Sequence, residues 1–402
     1  MYITETESML TGKLKTLLLL PVFVLILACT LSIGKLLVIA VAMRIFLCWS
    51  YKRSYGKKKF SSSLFKQSVF FMAMYLLLLL VPTIIMHGDV EEIGHYAERM
   101  LPFFLLLFVA DEEVNIWNTV WAGIAFSLLI ICVDTVPYAI AGQVPLRGNF
   151  GWHNTLGGTL ALLLPIFYFG MYKGMLKHKF VVLGLILVTT AFLLMGLTQS
   201  RGALLACFAS VIVFIVGIAL KDKWTLKKIN SYIIVAVILA GSFVSVSTFL
   251  GLNLNRNIAK DGRVVLLKSS WQMFLGHPLL GVGLGNWREQ YDNVYGVNNI
   301  EKHIDSPHNI FLQELNEAGI IGLSGFLGLL GFQYYHLLKS ARANISSNMT
   351  KLQWPFAILL TYIVTLVHGQ VDYIFFQRSY QMLYWLLWGV YCWSLTYEKR
   401  LR

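Results

Sequence analysis

The sequence predicts an all-α polytopic membrane protein, with about twelve transmembrane helices and one large outer loop that contains short helices. Three observations predict it. The chain is 57% hydrophobic and its mean hydropathy is +0.66, well outside the range of soluble globular proteins. Apolar runs long enough to cross a bilayer recur along its whole length. Between residues 251 and 307 that pattern stops, and the chain becomes polar and basic.

In chain order the apolar runs cover 17–33, 36–50, 67–86, 95–110, 114–133, 152–170, 180–197, 203–220, 231–250, 320–338, 354–371 and 379–396. The second and fourth are the shortest and carry Arg44 and Arg99. Charge placement orients the set. With the amino terminus inside and the spans alternating, 21 of the 33 Lys and Arg residues collect in inner connections, including Lys52–Lys66, Lys221–Lys228 and the carboxy terminus. This is the pattern of the positive-inside rule, so the net charge of +13 reads as topology and not as a nucleic-acid footprint. The same alternation puts 251–307 outside, where Arg256, Lys260, Arg263, Lys268, Arg288 and Lys302 run against the rule and need another reason. Organisation follows: amino-terminal membrane helices over 1–146, a core with the outer loop over 147–338, and carboxy-terminal membrane helices over 339–402.

The five cysteines (Cys29, Cys48, Cys132, Cys207 and Cys392) lie in or at the ends of spans without CxxC spacing, so neither disulfides nor a zinc site is expected. Ile26-Leu27-Ala28-Cys29 faintly resembles a lipoprotein cleavage site, but apolar sequence resumes at once and an intact hairpin is expected. Asp111-Glu112-Glu113 falls on the inner side and reads as a solvated loop. The spacing of His303, Asp305 and His308 is unlike a familiar zinc site, so no metal is expected.

Chemistry is expected at the outer rim. Gln199-Ser200-Arg201-Gly202 joins two spans in a short outer turn, where an arginine needs an anion, a carbonyl or water. Arg263 opens Val264–Phe274, a run with apolar residues at helical spacing, and Arg147 precedes a span at the same level. Two guanidinium groups at one interface form a fork suited to phosphate oxygens. His277-Pro278-Leu279-Leu280-Gly281-Val282-Gly283-Leu284-Gly285 lacks the Lys-Ser/Thr of a nucleotide loop and reads as a tight turn that lets backbone approach backbone or ligand. Then Ser306 as N-cap and Pro307 at the first helical position predict a short amphipathic surface helix that ends at Gly319. His308 would lie in its first turn, where the helix dipole disfavours an added positive charge, and a neutral imidazole there is a candidate general base.

These pieces together resemble the O-antigen ligase/polymerase superfamily. The resemblance rests on Thr198-Gln199-Ser200-Arg201, Gly262-Arg263, His277-Pro278-Leu279-Leu280-Gly281-Val282-Gly283, and Pro307-His308-Asn309 through Glu317-Ala318-Gly319-Ile320-Ile321-Gly322. Arg147-Gly148-Asn149-Phe150 and His153-Asn154 fit the upstream signature, although the family more often has a Pro-Asn or Asn-rich pair there. The resemblance implies a multi-pass protein of the bacterial inner membrane with its active site facing the periplasm. It implies an inverting glycosyltransferase that needs no metal or other cofactor. The donor would be a glycan on undecaprenyl diphosphate and the acceptor lipid A-core or another glycan. Arg201 and Arg263 would hold the diphosphate and His308 would activate the acceptor hydroxyl. Arg147, Asn154, Arg288 and Asn309 are expected around them as substrate-binding groups.

A compartment without nucleotide sugars agrees with that expectation, because the energy must then come from a lipid diphosphate leaving group whose charge paired arginines stabilise. Within the superfamily a ligase is favoured over a polymerase or a protein O-oligosaccharyltransferase, since one outer loop is large and 372–378 is short. A transporter of lipid-linked glycans would be expected to show inverted repeats and paired charges deep in broken spans, and the sequence shows no repeat.

Overall fold

Side-chain caps and a left-handed glycine mark several of the helix boundaries. The computed structural model describes residues 3–51, 62–111, 114–221, 262–296, 304–347 and 352–401. All regular structure among them is helical. Helices α1 (Ile3–Thr30), α2 (Gly34–Ser50), α3 (Ser63–Ile85), α4 (Val90–Val109), α5 (Trp117–Ile140), α6 (His153–Lys173), α7 (Val181–Leu197) and α8 (Arg201–Lys221) precede the outer loop. Within it lie α9 (Gly262–Gly276) and α10 (Trp287–Gln290), and α11 (Ile310–Ser346), α12 (Trp354–His368) and α13 (Arg378–Leu401) follow. Ser62 caps α3 by accepting from Phe65 N–H, and Asp89 caps α4 by accepting from Glu91 N–H. Gly174 ends α6 in the left-handed region.

Eleven of the predicted spans fall on these helices, and the twelfth, over 231–250, lies outside the described residues, as do Arg256, Lys260, Lys302 and His303. Six of the helices are long and apolar enough to cross a membrane, and Leu14–Thr30 and Trp354–His368 are shorter apolar helices. The protein is a multi-pass membrane protein. Their burial separates centre from rim. In α6, 83% of the apolar window is buried, against 28% in the α7 region, so α6 runs through the middle and α7 shows its side chains outward. Tyr362, Tyr384, Trp385, Trp388 and Trp393 of α12 and α13 are each at most 1% exposed and fill the core beside α6. Two of the polar groups there find partners inside the bundle, as a medium without water favours: Tyr384 donates to Gln333 Oε1 at 2.5 Å, and Trp121 Nε1 donates to the Phe167 carbonyl at 3.1 Å. The five cysteines are free and buried.

The connections gather at two ends. At the end that alternation places outside, Asp89 N–H donates to the Leu284 carbonyl at 2.7 Å, Leu146 N–H to Leu197 at 2.9 Å and Ile310 N–H to Gly369 at 2.9 Å. At the other, Lys221 Nζ donates to the Asn344 carbonyl at 2.6 Å, which satisfies the last carbonyls of α11, and Lys173 Nζ reaches the Leu352 carbonyl at 3.2 Å. Here the reading of Asp111 as part of a solvated loop is corrected. Asp111 is buried and pairs with Arg44 at 3.2 Å, and its carbonyl accepts from Trp393 Nε1. The arginine carried by the short second span, Arg44, is thus neutralised inside the protein, and Arg99 of the fourth donates to the Phe376 carbonyl at 3.1 Å.

The expected surface helix before Gly319 is also corrected. The helix begins at Ile310, with Asn309 as its cap, because Asn309 Oδ1 accepts from both Phe311 N–H and Leu312 N–H. Ser306 and Pro307 precede it in extended chain. Residues 313–319 are buried on every face, including Gln313, Glu314, Asn316 and Glu317, so the segment is a polar element inside the bundle and not an amphipathic surface helix. Gly319 does break the helical course, with φ 64° and ψ −163°. A side chain there would strike the Leu279 backbone, which only glycine avoids. The Gly-rich turn docks at that break: Val282 N–H donates to the Asn316 carbonyl at 2.8 Å, Gly283 N–H to Glu317 at 2.9 Å and Gly285 N–H to Glu317 Oε1 at 3.0 Å. The outer loop is therefore tied to the spans by backbone, above a small core of Leu266, Met273, Val282, Trp287 and Tyr291.

Candidate active site

The turn after α12 carries a buried carboxylate. Asp372 is 4% exposed, and its Oδ1 accepts from Tyr373 N–H at 2.8 Å and from His308 Nδ1 at 3.1 Å. Its Oδ2 lies 3.8 Å from Nε2 of His368, one helical turn earlier, which is an ion-pair distance and too long for a hydrogen bond. Burial pushes the Asp372 carboxyl up, but the hydrogen bond from His308 and the adjacent imidazole of His368 outweigh it and hold the group well below the usual carboxylate range. Asp372 is therefore an anion. That fixes the roles on His308: Nδ1 carries hydrogen toward the carboxylate, and Nε2 is the nitrogen able to accept a proton.

Backbone geometry holds the pair together. Ile310 N–H donates to the Gly369 carbonyl at 2.9 Å and Asn309 Nδ2 to the Gln370 carbonyl at 2.9 Å, so the strap before α11 is laced onto the turn after α12. Just before these bonds His308 adopts φ 53°, a left-handed conformation uncommon for a residue with a side chain and concentrated at functional sites. His308 is thus outside the first turn, and the dipole argument for it lapses. Its ring lines a cavity of about 260 Å³ together with Trp152, Asn154, Asp305, Asp372 and Tyr373.

The residues expected from sequence divide. His308 and Asn154 meet in this cavity. Arg263, half-buried in the first turn of α9, lies within electrostatic reach of His153, as do Asp372 and His308. Arg201 opens α8 two residues after Gln199, itself at φ 57°, and the adjacent Gly202 faces His368 and Val371 so closely that a side chain there would overlap both. The helix start that presents Arg201 is thereby held against the Asp372 turn. Arg288 pairs with Asp305 at 2.8 Å on the exposed rim of the cavity. Asn309 has both ends of its side chain engaged within the protein, and Arg147 is exposed on the loop before α6; neither lines the cavity. Sequence reasoning missed Asp372 and His368. The available signal was an ionisable pair at i and i+4 on the outer edge of a span, a position where charge is costly without a task.

The long apolar helices place the chain in the class of polytopic membrane proteins, with an Asp–His pair at one end of the bundle. Comparison narrows the class. The family model described as O-Antigen ligase matches residues 185–327. The O-antigen ligase of Salmonella typhimurium is 26% identical over 317 residues, covering 70% of this chain and 73% of that protein. The teichuronic acid biosynthesis protein TuaE of Bacillus subtilis is 28% identical over 202 residues, 46% of this chain and 40% of that protein, so the match spans less than half of the second relative. These matches support the O-antigen ligase superfamily, as the motifs imply. The matched region contains Arg201, Arg263 and His308, while Asn154 and Asp372 lie outside it.

Proposed function

We propose that this protein is a membrane glycosyltransferase that moves a glycan from undecaprenyl diphosphate to an acceptor, in the manner of an O-antigen ligase, on the outer face of the bacterial inner membrane. The observation that carries the reading is the His308–Asp372 pair at 3.1 Å beside a cavity, with Arg263, like both members of the pair, within electrostatic reach of His153. An acceptor hydroxyl needs its proton removed only as the new bond forms, and His308 Nε2 takes it. The hydroxyl oxygen attacks the anomeric carbon from the face opposite the diphosphate. The bond from that carbon to the diphosphate oxygen breaks, with inversion, and the departing undecaprenyl diphosphate keeps the electron pair. Arg201 and Arg263 stabilise the charge that develops on it, and Asp372 stabilises the imidazolium that forms on His308. No metal is needed in this scheme, since guanidinium groups do the work of charge neutralisation.

Lipid A-core is the first acceptor to test. A second reading is chain elongation by a polymerase, with another lipid-linked repeat as the acceptor. Deletion of the gene followed by glycolipid analysis decides between them. Loss of capped lipid A-core with long lipid-linked chains accumulating supports the ligase. Accumulation of single lipid-linked repeat units supports the polymerase, and an unchanged glycolipid profile refutes both.

A further inference from the structure

Trp152 stands at the edge of the cavity with 55% of its surface exposed. It is the residue before α6, in extended backbone after Gly151 at φ 72°, and this turn projects it away from the helix. One face of the indole rests on the His153 ring, with centroids 5.5 Å apart and planes 29° from parallel. The side chain is thus braced from behind and open in front. Two residues on, Asn154 is only 3% exposed, yet its Oδ1 is buried without a hydrogen-bond donor, although the residue lines the same cavity. A buried carbonyl oxygen left unpaired is costly and marks a place where a donor is missing. At about 260 Å³ the cavity falls below the roughly 300–1,000 Å³ of sites for drug-sized ligands, so it suits one small ring at a time.

A hexose in its ring form matches both features. Its axial C–H faces are apolar and lie against an aromatic plane, while its rim carries hydroxyl donors. We propose that Trp152 is the stacking platform, and Asn154 the hydroxyl-accepting partner, for a single pyranose ring: the sugar of the acceptor whose hydroxyl is glycosylated. The acceptor is favoured over the donor because His308 lines this cavity, and the ring that delivers a hydroxyl to Nε2 must sit there. The inference rests on the transferase reading and adds the subsite and its ligand class. The competing account of Trp152 as a headgroup-level anchor explains its exposure. It explains neither the stacking on His153 nor the orphaned oxygen of Asn154 in the same cavity.

The test uses the full-length chain in detergent, with Trp152→Leu as the informative variant, because leucine keeps the apolar surface for the membrane but removes the flat ring. Saturation-transfer NMR with the methyl glycosides of glucose, galactose and mannose is expected to show at least one receiving saturation from the wild type. That signal should vanish in Trp152→Leu and Asn154→Ala and persist in Trp152→Phe. In a transfer assay Trp152→Leu is expected to raise the acceptor KM about tenfold with the donor KM unchanged. No signal from any of the three glycosides, or an undiminished signal in Trp152→Leu, overturns the subsite. Transfer with an unchanged acceptor KM in Trp152→Leu overturns it too, with the transferase reading intact. A wild type that binds glycoside but transfers nothing overturns the transferase reading and, with it, the acceptor assignment.

Discussion

At the inner end of the bundle, Arg44 and Asp111 meet at 3.2 Å with side chains 1% and 5% exposed. At the outer end, Asp372 is buried nearly as deeply, but its partner His308 keeps 21% of its side chain exposed and lines a cavity. Both carboxylates are buried charges that need a cation. The inner one has a permanent cation, which can neither give nor take a proton at physiological pH. The outer one has an imidazole, which can do both. Backbone conformation follows the same division. The inner pair sits on or beside regular helix, whereas the outer histidine is held at φ 53° by hydrogen bonds from the residues that follow it. A buried ion pair by itself therefore says little about function. A titratable partner, an open face and an unusual backbone conformation separate a site from a staple.

If this contrast is right, mutations at the two ends must fail in different ways. His308→Ala should produce the largest effect, a loss of turnover of about 10²–10⁴-fold with the membrane-inserted protein present at normal level; retained turnover would break the comparison outright. Arg201→Ala and Arg263→Ala should each cost about 10²–10³-fold in transfer, with lysine restoring only part, because it offers a point charge without the planar fork. Asp372→Asn should lower kcat while binding of the lipid-linked donor survives, and loss of donor binding would move Asp372 from positioning His308 to shaping the donor site. The Asp372 carboxyl also sets a pH expectation. Its folded value is depressed, so its stabilising contribution is in place above the unfolded value of about 3.9 and disappears only as pH falls further. Activity lost between about pH 7 and 5 does not then come from Asp372, and Asp372→Asn should lower activity at every pH across that range.

At the inner end the prediction is opposite in kind. Asp111→Ala strands a buried arginine and should cost about 3–5 kcal/mol, seen as a lower melting temperature and yield, with the turnover of each surviving molecule unchanged. The smallest effect belongs to the exposed pair Arg288–Asp305, where Asp305→Ala should change stability by about 0–1 kcal/mol. A large stability loss there would show that the cavity rim is part of the fold's support.

Much of this architecture was legible in the amino-acid order. Apolar runs fix where helices lie because a bilayer leaves the backbone no other partner. The glycines at 281, 283 and 285 announced a close backbone approach, and they make one. Ser306 misled because it satisfies the local rule for a cap as well as Asn309 does, and only Asn309 also gains a partner across the fold in Gln370. The acidic tail of the fourth span misled for a related reason: its hydrophilic character suggested water, while its real partner, Arg44, is 67 positions away in sequence.

The sequence by itself determined the class of the protein and the sites of the membrane helices among the described residues, since both depend on local composition. The tertiary structure alone decided that His308 answers to Asp372, that Gly202 lets α8 press on the turn that carries Asp372, and that Trp152 and Asn154 share a cavity with both. His308 and Asp372 lie 64 residues apart, and a hydrogen bond across that separation has no period, cap or spacing to betray it. It exists because backbone bonds lace the strap before α11 to the turn after α12, and that lacing is a property of the folded bundle.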